Sequence, residues 1–269
     1  MPEMIQHHHK IYYETHGEGT PLILIRGLGS SADHWYTQVP ELSKHFRVII
    51  FDNRGIARST DSGEPFTIQD MAQDTIELLD HLGIQRTHLL GLSMGGMIAQ
   101  EIAIQHPHRI NGLILAVTHC GGDQQIKAAA DVTETIQRLA IDNSLEARVM
   151  AATVFFAPQT LKENAAALQA YSAASLKYTT APEMIKRQMQ AISTHATFDR
   201  LHRIKAPTLV LGGAEDVLIP PHNSNILSEQ IPNAKLLIVP GGGHQVLIEQ
   251  ADACNQEIIA FLQQVEAAT

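Results

Sequence analysis

Short, largely apolar runs recur along the chain at 22–25, 48–51, 88–90, 113–117, 208–211 and 236–239. Runs this short, without polar alternation, predict strands buried on both faces. Between them lie helical patterns. The clearest covers 68–82, where Met71, Ile76, Leu78, Leu79 and Leu82 fall against Asp70, Asp74, Glu77 and Asp80, the spacing of an amphipathic helix. A second, over 96–105, is apolar enough to be buried. Strands and helices in alternation predict a mostly parallel α/β sheet. The opening stretch from Ile11 to Pro21 reads instead as a strand and turn feeding the first parallel strand, which predicts an antiparallel edge.

The alternation stops between Cys120 and Pro207. That stretch holds no strand run, and its residues favour helices over 127–140, 145–155, 161–176 and 182–194. The expected organisation is a core of residues 1–120 and 206–269 interrupted by a helical cap of residues 121–205. Its aromatic and sulfur side chains, among them Phe155, Phe156, Tyr171, Tyr178, Met184 and Met189, serve either packing among the helices or a lid lining an apolar pocket.

Composition narrows the function classes. With 269 residues, 44% of them apolar, the chain can bury a full core without disulfide or metal staples. Two cysteines, Cys120 and Cys254, are too few for a disulfide framework or a zinc site. A net charge of −9 argues against nucleic acid as a partner. No apolar leader or membrane-length run is present, so the expected location is cytoplasmic, with no membrane partner. His7-His8-His9 lacks further ligands at metal spacing. The expectation is no metal and no cofactor.

Chemistry enters at Gly91-Leu92-Ser93-Met94-Gly95, between a strand run and a helix pattern. This G-x-S-x-G elbow holds a serine at the apex of a tight turn, where glycines two residues on either side remove clashing Cβ atoms. Ser93 is thus a candidate nucleophile. A serine hydroxyl needs a base, and a histidine base needs a carboxylate to fix its tautomer. Asp216 follows the run at 208–211, and His244 follows Gly241-Gly242-Gly243 after the run at 236–239. Both sit where carboxyl ends of parallel strands gather chemistry, in the chain order Ser, Asp, His that this elbow requires. Glu215 and Asp123 are reserve acids.

These residues, together with Asp52-Asn53-Arg54-Gly55-Ile56-Ala57-Arg58-Ser59 and the Trp35 and Gln38 pair, resemble the α/β-hydrolases over nearly the whole chain. The likeness is to small bacterial serine esterases, enol-lactonases and cofactor-free haloperoxidase-like enzymes. The resemblance implies an eight-stranded, mostly parallel sheet flanked by helices, with a helical cap after the sixth strand. It also implies a small carboxylic ester or lactone as substrate, cleaved through a Ser-His-Asp triad, and a monomer or homodimer. By the same analogy the backbone N–H groups of Leu28 and Met94 form the oxyanion hole. Carbon–carbon bond hydrolysis, perhydrolysis and low-turnover ligand binding are the alternatives on this scaffold.

The sequence departs from the family pattern in two places. Arg26-Gly27 stands where these enzymes usually carry His-Gly, and Ala57 stands where a third glycine is common, a change read as structural. Arg26, Trp35 and His119 are candidate pocket residues, with Trp35 and Met94 possible acyl contacts and packing the alternative role for Trp35. Asp52 and Arg54 are read as a structural ion pair or turn support rather than as catalytic groups. Gly27-Leu28-Gly29-Ser30-Ser31-Ala32, with Asp52 some twenty residues on, also matches a dinucleotide fingerprint, but Pro40 interrupts the helix that reading needs.

Overall fold

A computed structural model describes residues 2–6, 9–142, 144–178 and 180–268. His7 and His8 of the histidine run lie outside the described residues. The strands are β1 (Glu3–Gln6), β2 (His9–His16), β3 (Pro21–Ile25), β4 (Arg47–Phe51), β5 (Thr87–Leu92), β6 (Ile110–Ala116), β7 (Thr208–Gly213) and β8 (Lys235–Val239). They form one eight-stranded sheet in the order β1-β2-β4-β3-β5-β6-β7-β8. β1 and β2 run antiparallel at one edge, and every pairing from β4 to β8 is parallel. The antiparallel edge therefore has two strands. β1 is short and polar at both ends, which hides it from a search for apolar runs.

Period-two geometry divides each buried strand between two apolar layers. In β3, Ile23 and Ile25 enter the layer that holds Met71, Leu79 and Ile98, while Leu22 and Leu24 enter the layer that holds Trp35, Ile258 and Leu262. The helix Ile68–His81 covers the first layer and starts at a capping box, in which Thr67 accepts from the Asp70 amide and Asp70 accepts from the Thr67 amide. Its Asp74, assigned to the polar face by the sequence pattern, is buried. Arg54 compensates it, donating Nε and Nη2 to the two carboxylate oxygens at 2.6 Å each.

Between β6 and β7 the structure places the helices Ala130–Ile141, Leu145–Phe155, Pro158–Glu163, Ala165–Lys177 and Pro182–Ser193. The single helix expected over 161–176 is two. Asn164, at φ −119° and ψ 63°, breaks the chain and caps the second helix by accepting from the Ala167 amide at 3.1 Å. Among the described residues no helix is long and apolar enough to cross a membrane.

Candidate active site

Ser93 joins β5 to the helix Met94–Gln105 with φ 57° and ψ −121°, a conformation costly for any residue with a Cβ. Its surroundings hold it there. The Ser93 amide donates to the Ala116 carbonyl at 2.9 Å, and its own carbonyl accepts from Thr118 Oγ1 at 2.7 Å. The flanking glycines are required by contact distance: a Cβ on Gly91 would lie 2.3 Å from the Gly95 carbonyl oxygen, and one on Gly95 would lie 2.0 Å from that of Ile25.

The three residues brought forward from the sequence meet in one row. His244 Nε2 lies 3.1 Å from Ser93 Oγ, and Nδ1 lies 2.8 Å from Asp216 Oδ2. One tautomer fits both contacts, with Nδ1–H donating to the carboxylate and Nε2 accepting from the hydroxyl. The other oxygen of Asp216 accepts from the Leu218 and Ile219 amides at 2.9 and 2.8 Å, so the carboxylate is fixed on both sides. Asp216 is buried whereas the reserve acids Glu215 and Asp123 are exposed.

The His244 loop is held by groups that motif reading did not find. Glu249 accepts from the Gly243 amide at 2.8 Å through Oε1 and from the Ala157 amide at 2.7 Å through Oε2, tying the loop to the helical insertion. Burial raises the Glu249 pKa above the usual carboxylate value. The Gln245 amide donates to the Phe155 carbonyl at 2.9 Å, and the Phe155 ring stacks on His244 with centroids 6.1 Å apart. The sequence signal is an acid, Glu249, five residues after the histidine in Gln245-Val246-Leu247-Ile248-Glu249.

The loop after β3 passes beside Ser93. A Cβ on Gly27 would sit 3.0 Å from that of Ser93, so the backbone of this loop packs against the serine. Met94 opens its helix, so its N–H is one of the donors without an intrahelical acceptor. Asn53 Nδ2 supports this loop by donating to the Arg26 carbonyl at 3.0 Å. Gln188 of the insertion accepts from the Gly29 amide at 2.9 Å.

Ser93 and His244 open into a cavity of about 770 Å³ between the sheet edge and the insertion. Arg26, Leu28 and His119 line it, with Phe155, Tyr171 and Met189 among the insertion's contributions. His119 is buried, accepts from the Gly121 amide at 3.0 Å through Nδ1, and has its pKa pushed down to about 3 by burial. Burial also lowers Arg26, to about 10.

Several expectations are corrected. Trp35 does not line the cavity: it is completely buried in the second apolar layer, its ring 4.9 Å from the Arg26 guanidinium. The Met94 side chain likewise packs into the first layer, away from the cavity wall. Asp52 and Arg54 do not pair with each other, and of the two structural readings turn support is the one that holds for Asp52, which accepts from the Arg58 amide at 3.1 Å. Arg54 belongs to Asp74, while Asp52 binds Arg58 Nε at 2.6 Å and accepts from the Ala32 amide at 2.7 Å. That assignment also removes the dinucleotide reading, because Asp52 is committed to protein groups and the glycines lead into only a short 3-10 turn, Ala32–Trp35. Ala57 adopts φ +48°, the left-handed conformation that favours glycine, in accord with the reading of that departure as structural.

A serine on a strand-to-helix elbow, with histidine and aspartate on later loops at the same edge of a mostly parallel sheet, defines an α/β protein of the hydrolase class. The chain belongs to the alpha/beta hydrolase fold family, whose model matches residues 20–251. A protein of Caulobacter sp. (strain K31), provisionally named carbamate hydrolase RutD, is 33% identical over 260 residues, covering 94% of this chain and 95% of that one. The enol-lactonase of Burkholderia xenovorans LB400 superposes with a TM-score of 0.85 at 26% identity, covering 97% of this chain and all of the other. A thermophilic esterase of Thermogutta terrifontis gives 0.83 at 26% identity, over 96% and 94% of the two chains.

Proposed function

We propose that the protein is a serine hydrolase of small or medium carboxylic esters or lactones. The observation that carries this reading is the continuous row Ser93–His244–Asp216, at 3.1 and 2.8 Å. Ser93 Oγ attacks the carbonyl carbon as its proton passes to His244 Nε2. The carbonyl oxygen becomes an oxyanion held by the Leu28 and Met94 amides. His244 returns the proton to the leaving alcohol oxygen as the C–O bond breaks. Water, deprotonated by His244, then attacks the acyl-Ser93 ester and restores the hydroxyl. Asp216 keeps the ring oriented and stabilises the imidazolium.

The cavity volume suits a small or medium substrate, and residues 121–205 act as a cap that forms its roof. Likeness to an esterase and an enol-lactonase supports the ester and lactone classes. The Caulobacter relative favours a second reading, a carbamate, whose carbonyl would be attacked by the same groups.

Intact mass after incubation with a fluorophosphonate tests the reading, with Ser93→Ala in parallel. One adduct on the wild type and none on the variant is expected. Turnover of the best ester, lactone or carbamate should fall about a thousandfold or more in the variant, since the three residues act as one unit. A folded wild-type protein that takes no label would overturn the proposal in favour of ligand binding without turnover.

A further inference from the structure

Arg26 carries a charge that the reaction above does not use. It is 1% exposed and borders the cavity that holds Ser93 and His244. Its guanidinium makes one long bond, Nη2 to Gln245 Oε1 at 3.3 Å, while Nε and Nη1 find no hydrogen-bond partner among the described residues. Trp35 covers one face. The titratable groups that bear on it are the hydroxyls of Tyr171 and Tyr36 and the buried imidazole of His34, with no carboxylate among them. Tyr171 lines the same cavity, and the buried Tyr36 hydroxyl is itself without a partner among the described residues.

Other arginines of the chain are treated differently. Arg54, Arg58, Arg109, Arg187 and Arg200 each meet an Asp or Glu within 2.5 to 2.7 Å. A buried charge is expensive unless it is paired and hydrogen-bonded. Arg26 is buried as deeply as any of them, borders the cavity that holds the reacting serine, and lacks the anion. A carboxylate is the ligand that a guanidinium's forked donors match best, and because Nε and Nη1 lie on different edges of the group, a bidentate carboxylate takes Nη2 together with one of them.

We propose that Arg26 forms the base of a carboxylate subsite beside Ser93, and that the preferred substrate carries a free carboxylate in addition to the ester or lactone bond. This inference rests on the serine-hydrolase reading above. The carboxylate completes the missing ion pair as it enters the cavity, so part of the substrate's binding energy comes from an interaction the free protein lacks. Gln245, which occupies Nη2 in the free protein, is the group that yields or shares its place. Because Gln245 follows His244 directly, occupancy of the subsite also bears on the histidine loop.

The test compares matched pairs, each a carboxylated ester and its methyl-capped neutral counterpart, with the carboxylate placed on the acyl side in one series and on the alcohol side in the other. In at least one series the carboxylated member should be favoured tenfold or more in kcat/KM, mainly through KM. That ratio should collapse in Arg26→Gln and partly survive in Arg26→Lys, whatever happens to the absolute rates. On the wild type alone, millimolar glutarate should slow fluorophosphonate labelling of Ser93 while glutaramide does not, a result independent of whether the variants fold. Labelling of Ser93 with no carboxylate preference in either series, or equal protection by glutarate and glutaramide, overturns the subsite and leaves the hydrolase reading standing. Absence of labelling defeats both.

Discussion

The helices Met94–Gln105 and Ala165–Lys177 are 12 and 13 residues long, and their environments are opposite. In the first, every residue but Gln105 is buried; in the second, none is. Met94–Gln105 lies against the sheet because Gly95 and Gly96 let its backbone approach, and Met97, Ile98 and Ile102 fill the layer beneath. Ala165–Lys177 is rich in alanine and poor in large apolar side chains, so it is helical through local propensity and its Asn164 cap rather than through burial. The difference separates two jobs. The region that must hold a strained serine is locked by packing, while the helix Ala165–Lys177 is attached by the Tyr171 ring, edge-on to His34 and Phe156, and by polar contacts, including Lys177 to Asp33 and His34 Nε2 to Ser175 Oγ at 3.0 Å.

Breaking the locked region should have the largest effect. Gly95→Ala would place a Cβ 2.0 Å from the backbone carbonyl of Ile25, which cannot move without distorting β3. A loss of more than about 3 kcal/mol in urea unfolding is expected. A variant within about 1 kcal/mol of the wild type would show that the elbow is far more compliant than its contacts indicate.

Acid should act on the seam between the regions. Burial pushes the pKa of His34 and of His119 from 6.5 to about 3, so the folded protein keeps both neutral where the unfolded chain takes up protons. Their stabilising contribution is therefore complete above pH 6.5 and declines as pH falls toward 3, by up to about 2 kcal/mol per histidine between pH 7 and 5. Melting temperatures at the two pH values should show the loss, and His119→Gln should reduce it. Equal pH dependence in the variant and the wild type would remove His119 from the account.

The smallest effect sharpens the contrast. Asn164→Ala deletes the cap on Ala165–Lys177 at a cost of about 1 kcal/mol to that helix. Amide exchange in Ala165–Lys177 should rise about fivefold while Met94–Gln105 remains unchanged. A rise in both helices would mean that the insertion and the elbow open together.

Legibility in the sequence followed the same division. Strands buried on both faces announce themselves as apolar runs, and the elbow, with Asp216 and His244 placed after later strands, needed only local pattern and chain order. What escaped depends on distant partners. Asp74 looked solvated until Arg54 reached it from another loop. Asp52 and Arg54 looked paired because they are neighbours, yet each finds its partner elsewhere. Trp35 resembled a pocket residue because aromatic character does not reveal the direction in which a side chain points. The break at Asn164 lay within a stretch whose composition favours helix throughout, and Glu249 gave no sign that both its oxygens would bind backbone amides of two separate segments.

That last arrangement bears on how such a molecule changes over time. The insertion steadies the histidine loop partly through main-chain atoms, the Phe155 carbonyl and the Ala157 amide, and a peptide group is the same whatever residue carries it. Side chains around the cavity can thus be exchanged by mutation to suit a new substrate while the grip on His244 is inherited intact. Divergence in this lineage is expected to concentrate in the roof of the cavity, and Glu249, which grips the Gly243 and Ala157 amides, is expected to outlast most of the side chains above it.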